Sequence, residues 1–188
     1  SISGCNKFNR ATSIKMIRTV TAIPEGNFHS VDFNEVIRQS IDRLRYTEGI
    51  DKVNFDIKVD MKAPFSGNNK LLEVVFNNLI SNGIKYRKIT GDPSSMRLHV
   101  YCDEQKAIIN IQDNGLGIAP DEVGKIFNLF QKEKQPEPGR GIGLYMAKEI
   151  IEKLGGNIAV ESVLNTGTAF TIEIPNKLNT KPLNNYFE

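Results

Sequence analysis

Three side chains in the stretch NNLISNGIKY, residues 77–86, have the types and spacing to act on one ligand: Asn78, Asn82 and Lys85. At the helical rotation of about 100° per residue, Asn82 lies about 40° from Asn78 and Lys85 about 20° to the other side, so the three form one stripe. Leu71, Val74 and Val75 fall within about 60° of it, and Leu72, Phe76, Leu79 and Gly83 continue an apolar arc. The amides therefore point into, or to the edge of, apolar surroundings. A buried amide without a partner costs about 1–3 kcal/mol, so two in register need something to bind. A neighbouring loop satisfies a single Asn in the ordinary case. A pair followed by Lys favours a ligand, because an amide oxygen with a cation one turn on suits a magnesium ion and the phosphates it bridges.

A second cluster points the same way. GRGIGLYMAKEI places Gly139, Gly141 and Gly143 just before a helix, where free backbone N–H groups and the helix dipole can receive phosphate oxygens. This is not the dinucleotide-binding G-x-G-x-x-G, because a charged Pro-rich loop and not a strand precedes it, and no G-K-[ST] phosphate loop occurs. A turn or a helix cap explains any one of these glycines alone.

The elements that must position these groups follow from periodicity. SIKMIRTVTAI spaces Ile14, Ile17, Val20 and Ile23 helically before Pro24 and Gly26 stop it. VDFNEVIRQSIDRL begins with Asp32 and Glu35 at capping-box spacing. VNFDIKVDM alternates as a strand, and residues 68–86 form the long helix carrying the Asn stripe. RLHVYCD and AIINIQD are two strands with a tight connection, so Asp113 stands at a strand's end, opening the loop DNGLGI. PDEVGKIF is a short helix, QKEKQPEPGRG a charged Pro/Gly loop, IGLYMAKEIIEKL a helix, and NIAVES and GTAFTIEIP two closing strands. Strands and helices interleave without regular β-α-β alternation, which predicts a mixed sheet layered against helices.

Composition bounds the rest. A chain of 188 residues, 39% hydrophobic and 24% charged, suits one soluble domain with a sizeable core. A net charge of +2 without a Lys/Arg block argues against nucleic acid and against an anionic membrane surface as partners. Cys5 and Cys102 indicate neither a disulfide framework nor a zinc site and fit a reducing compartment. No apolar run reaches membrane-spanning length, no signal-peptide pattern opens the chain, and it begins without Met, as a fragment of a longer protein would.

Taken in order, NNLISNGIKY, DNGLGI, IFNLF, GRGIGL and NTGTAFTIEIP resemble the N, first-glycine, F, second-glycine and terminal Gly-Thr motifs of sensor histidine kinases, at similar spacing over residues 27–176. The resemblance implies a two-layer α/β (α+β) sandwich, the Bergerat-type ATP-binding fold shared with type II topoisomerases and mismatch-repair ATPases, with a mixed sheet against helices and a mobile ATP lid. It implies three segments: residues 1–26 as the end of a dimerisation and phosphoacceptor hairpin plus linker, 27–176 as the catalytic domain, and 177–188 as a loose tail. Carried over by position, Asn82 is the magnesium ligand, Asn78 supports metal or phosphate, Lys85 meets phosphate oxygens, and Tyr86 lies against the nucleotide. Asp113 accepts from the adenine amine, Gly115, Gly117 and Ile118 approach the base, and Thr168 adds a hydroxyl. Gly139, Gly141, Ile142, Gly143 and Leu144 line the phosphate side, and Phe130 belongs to the F motif.

Hydrolytic members of the superfamily carry a Glu general base where this chain has Asn78, which cannot take a proton. The resemblance therefore implies phosphoryl transfer from Mg-ATP to a histidine, with positioning and charge neutralisation as the protein's share. Where the family often has Arg after the F motif, this chain reads Phe130, Gln131, Lys132. Lys132, Lys134 and Arg140 are the candidate lid cations, and a Lys lacks the bidentate fork of Arg. Gly83 replaces the usual Ala of the N motif, at a helix cost of about 1 kcal/mol. The phosphoacceptor motif is missing, and His29 and His99 read as structural. The implied partners are the phosphoacceptor domain of the same protein, dimeric in the full-length chain, and a response-regulator receiver domain, all in the cytoplasm. Two alternatives are a degenerate ATP-binding module without transfer and a stand-alone ATPase.

Overall fold

The computed structural model describes residues 28–128 and 142–179. The expected helix over residues 14–23, the loop over 131–141 and the tail beyond 179 lie outside the described residues. The first helix, α1 (Phe33–Arg43), starts where Asp32 accepts hydrogen bonds from the backbone N–H groups of Asn34 (2.9 Å) and Glu35 (3.3 Å). Glu35 does not return the bond as a full capping box requires; its carboxylate is held by Arg38 at 2.6 Å and by Gln39. The central helix, α2 (Asn69–Lys85), is capped by Asn68, which accepts from Leu71 N–H at 3.2 Å, and ends at Tyr86. Two shorter helices follow: α3 (Pro120–Val123) and α4 (Gly143–Lys153). The helix expected over PDEVGKIF is thus a single turn, ending where Gly124 withdraws helix propensity.

Among the described residues there are seven strands: β1 (His29–Ser30), β2 (Val53–Met61), β3 (Ser66–Gly67), β4 (Ser94–Cys102), β5 (Lys106–Asp113), β6 (Asn157–Val163) and β7 (Gly167–Pro175). The main sheet has the order β2-β4-β5-β7-β6, with β2 and β4 parallel and the other pairs antiparallel. The parallel pair is possible because α2 forms the crossover between its strands. The sheet is mixed and packs against helices on one side, as expected. The two-residue strands β1 and β3 pair in a small separate sheet that the alternation pattern did not reveal, being too short to show a period.

Alternation decides which face of the sheet is covered. Met96, Leu98, Val100 and Cys102 on β4, Ala107, Ile109 and Ile111 on β5, and Phe170, Ile172 and Ile174 on β7 are buried. They meet Leu72, Val75, Phe76, Leu79 and Ile80 of α2 and Ala147, Ile150 and Ile151 of α4 in one core. The other face is polar, tied across strands by Arg97 to Gln112 (3.0 Å), Thr171 to Asn110 (3.0 Å) and Lys106 to Glu173 (2.8 Å). The helix layer therefore has a covered apolar floor and one polar end, near Asp113. Among the described residues no helix is long and apolar enough to cross a membrane.

Candidate functional site

The polar end is built by strand register. Met96 pairs with Asp113, Asp113 with Thr168, and Thr168 with Ser162, so four residues form one transverse row across β4, β5, β7 and β6. All four share parity with the buried or, on β6, half-buried residues of their strands and so face the helix layer. Asp113 accepts from the Gly115 N–H at 2.8 Å and from the Thr168 backbone N–H. Burial nevertheless pushes its pKa above the usual carboxylate range, the two backbone donors offsetting only part of the desolvation. Next in the row, Thr168 is 7% exposed, and its hydroxyl lies 2.9 Å from that of Ser162.

The helix α2 passes over the Met96–Asp113 end of this row. A Cβ placed on Gly83 would lie 3.6 Å from Cβ of Asp113 and would coincide with the terminal methyl of Met96. Met96 thus fills the space an alanine methyl would take on the helix above. The Tyr86 carbonyl, just past the helix end, accepts from Leu116 N–H at 2.9 Å and holds the loop after β5 against α2. Gly115 lies in that seam, where a Cβ would come 2.5 Å from the Tyr86 carbonyl oxygen. Gly117, at φ +65°, presses on the Val163 carbonyl, leaving no room for a side chain in a backbone region that already favours glycine. Ile118 donates its N–H to Ser162 Oγ at 2.9 Å.

The Asn stripe is found where periodicity predicted it. Asn78 and Asn82 are half-buried and Lys85 is exposed. The Asn78 amide nitrogen donates to the Val74 carbonyl at 2.9 Å, a bond within its own helix. That bond leaves Asn78 Oδ1 outward, and it lies 2.8 Å from where a Cβ on Gly143 would stand. The start of α4 therefore abuts Asn78, and the half-buried Ile142 and Leu144 flank that junction. The Asn82 side chain has no hydrogen-bond partner among the described residues, so its oxygen is available to a ligand. Lys85 Nζ lies 5.7 Å from the centre of the Tyr86 ring.

The structure thus gathers Asn78 with Gly143, and Asp113 with Gly115, Thr168 and the Tyr86 backbone. Phe130, Lys132, Lys134, Gly139, Arg140 and Gly141 lie outside the described residues. Three residues of the site escaped the sequence reading. Ser162 and Met96 complete the row, and Asn114 pins the loop by accepting from Ser95 N–H at 2.8 Å and donating to the Pro93 carbonyl at 2.9 Å. Ser162 had one usable signal, a hydroxyl at an inward position of an alternating strand. Of the two histidines, His29 is exposed on β1, and His99 lies on the polar sheet face 3.2 Å from Asp56.

Among the described residues no group of three or more His, Cys, Asp or Glu side chains converges to hold a metal. A magnesium ion does not need such a cage, since it is commonly bound by one or two protein oxygens together with substrate phosphates and water. The amide side chains of Asn82 and Asn78, one turn apart on α2, fit that mode.

Residues 67–178 match the family described as histidine kinase-, DNA gyrase B-, and HSP90-like ATPase. Sensor protein SrrB of Staphylococcus aureus is 33% identical over an alignment of 141 positions that covers 71% of this chain and 23% of that protein. Among solved structures, the mycobacterial sensor histidine kinase MprB superposes with a TM-score of 0.65 at 28% identity, covering 79% of this chain and 98% of that one. The catalytic domain of histidine kinase ThkA superposes with a TM-score of 0.62 at 27% identity, covering 80% and 98%.

Proposed function

The chain belongs to the family of histidine kinase-, DNA gyrase B- and HSP90-like ATPases, and from that premise we propose that it binds Mg-ATP and transfers the γ-phosphoryl group to a histidine on a helical phosphoacceptor domain. The chain spans 23% of the curated sensor protein it matches, so the acceptor and any receiver partner are parts of this proposal. The reading rests on one juxtaposition: a half-buried carboxylate at the end of β5 lies directly beneath the helix that carries Asn78, Asn82 and Lys85.

Each group has a role its chemistry allows. Asp113 accepts a hydrogen bond from the exocyclic amine of adenine, its carboxylate having lone pairs beyond the two taken by the Gly115 and Thr168 backbone N–H groups. Asn82 supplies an amide oxygen to magnesium, and Asn78, one helical turn earlier, keeps its own oxygen out of its bond to Val74. When bound, the ion neutralises charge on the phosphates and orients them. Lys85, exposed at the end of the stripe, adds a cation to the phosphate path. The N-terminus of α4 presents backbone N–H groups beside Asn78, favouring negative charge there. Gly139, Gly141 and the cations Lys132, Lys134 and Arg140 complete the phosphate side in this reading.

Asn78 also separates transfer from hydrolysis. An amide cannot remove a proton from water, and its nitrogen is already committed to Val74, whereas an attacking imidazole brings its own lone pair. Segment 1–26 is assigned to the end of the phosphoacceptor hairpin, 27–176 to catalysis and 177–188 to a tail; the protein acts in the cytoplasm and dimerises through the hairpin.

The test mixes the 188-residue chain with γ-labelled ATP and a separately expressed helical hairpin bearing the acceptor histidine. Label on the hairpin is expected. Nucleotide binding without label would mark a regulatory ATP-binding module, and rapid release of free phosphate a hydrolase; either replaces the reading.

A further inference from the structure

Ser162 makes three polar contacts with one hydroxyl. It accepts from Ile118 N–H at 2.9 Å, donates to the Gly167 carbonyl at 2.9 Å, and lies 2.9 Å from Thr168 Oγ1. A hydroxyl has one proton to give. The Gly167 carbonyl can only accept, so the Ser162 proton goes there, and Thr168 must then donate its own proton to Ser162. Thr168 Oγ1 is left with lone pairs only. It stands beside Asp113 in the same cross-strand row, and Asp113 offers carboxylate oxygens.

We propose that Ser162 is a positioning residue for nucleobase selection, which fixes Thr168 as an acceptor so that the row presents two acceptors side by side. This rests on the assignment of the Asp113 end as the base pocket. Such a floor matches the exocyclic amine of a 6-aminopurine. It opposes a 6-oxopurine, whose oxygen would face lone pairs. Without the Ser162 hydroxyl, Thr168 is free to rotate its proton outward and meet that oxygen. The sequence offers no hint of this, because Ser162, Thr168 and Ile118 are joined only through the β6–β7 pairing and the loop after β5.

The experiment measures binding of ATP and of inosine 5′-triphosphate, each with magnesium, to the 188-residue chain and to Ser162→Ala, Ser162→Thr and Thr168→Val. Ser162→Ala is expected to lower the preference for ATP over the 6-oxopurine by about tenfold, the size of one hydrogen bond exchanged for a lone-pair clash. Ser162→Thr keeps the hydroxyl and the preference. Thr168→Val, which loses the acceptor altogether, weakens ATP binding and relaxes the preference in the same direction, and it decides the question if Ser162→Ala does not fold. The ratio distinguishes this role from a merely structural one, since a loosened loop weakens both nucleotides alike. An unchanged ratio in Ser162→Ala and Thr168→Val would overturn the proposal while leaving the ATP site intact. Failure of the unaltered chain to bind ATP would instead overturn the site assignment, and this proposal with it.

Discussion

Replacing Gly83 by Ala tests how α2 is seated on the sheet. In an exposed helix the change would gain about 1 kcal/mol, since Gly carries the larger entropy cost. Here the new methyl and the terminal methyl of Met96 claim the same space, and Met96 is 1% exposed, so it has no solvent to retreat into. Overpacking of that kind costs about 1–3 kcal/mol, which makes the single substitution neutral to about 2 kcal/mol destabilising. Met96→Ala alone empties the space and costs about 2–5 kcal/mol. In that background Gly83→Ala meets no methyl; its next neighbour is Asp113 Cβ at 3.6 Å, an ordinary contact. The helix gain then appears in full and part of the cavity is filled, so the same substitution becomes stabilising by about 1 kcal/mol or more. A double-mutant cycle by urea denaturation, with m-values held in common, should give a coupling of about 1–3 kcal/mol and a reversal of sign. Equal effects of Gly83→Ala in both backgrounds, within about 0.5 kcal/mol, would refute the packing argument.

Three further outcomes follow from the site and the core. Asn82→Ala should remove the magnesium dependence of ATP binding, read by calorimetry with and without chelator; retained dependence would refute the metal assignment. Asp113→Asn should weaken ATP binding about tenfold or more while raising stability at neutral pH. The sign comes from burial: the folded-state pKa is raised, so the native chain holds a proton that the unfolded chain has lost, and the carboxylate's contribution falls as pH rises through that interval. The advantage of the Asn variant should therefore grow with pH up to the raised pKa and vanish below the ordinary carboxylate range, as urea midpoints across pH would show. Finally, Cys102 is buried and its thiol is pushed up to about 11 by burial first and by the nearby Asp103 carboxylate second. In a Cys5→Ser chain at pH 8 it should react with a thiol reagent only after denaturation, and equal rates in the native and unfolded chains would contradict its placement.

The central helix was legible because both of its signals are local. Asn68 caps it, Tyr86 ends it, and the 3.6-residue period aligns Asn78, Asn82 and Lys85 whatever surrounds them. Strands β2, β4, β5, β6 and β7 were legible for the same reason, their alternation being a property of consecutive residues. The motifs DNGLGI and GTAFTIEIP carried Asp113 and Thr168 to the reading, as residues of separate segments. Tertiary structure decided how those segments meet. Register between β4, β5, β7 and β6 depends on which strands pair and where, and a shift of one residue would turn Asp113 and Thr168 to the polar face. Met96 and Ser162 joined the site only through that register. The cost assigned to Gly83 from helix propensity alone also changed meaning, because propensity knows nothing of the methionine that occupies the missing methyl's place. Residue types and their periods are written along the chain, but which lone pairs face one another is settled by packing across it.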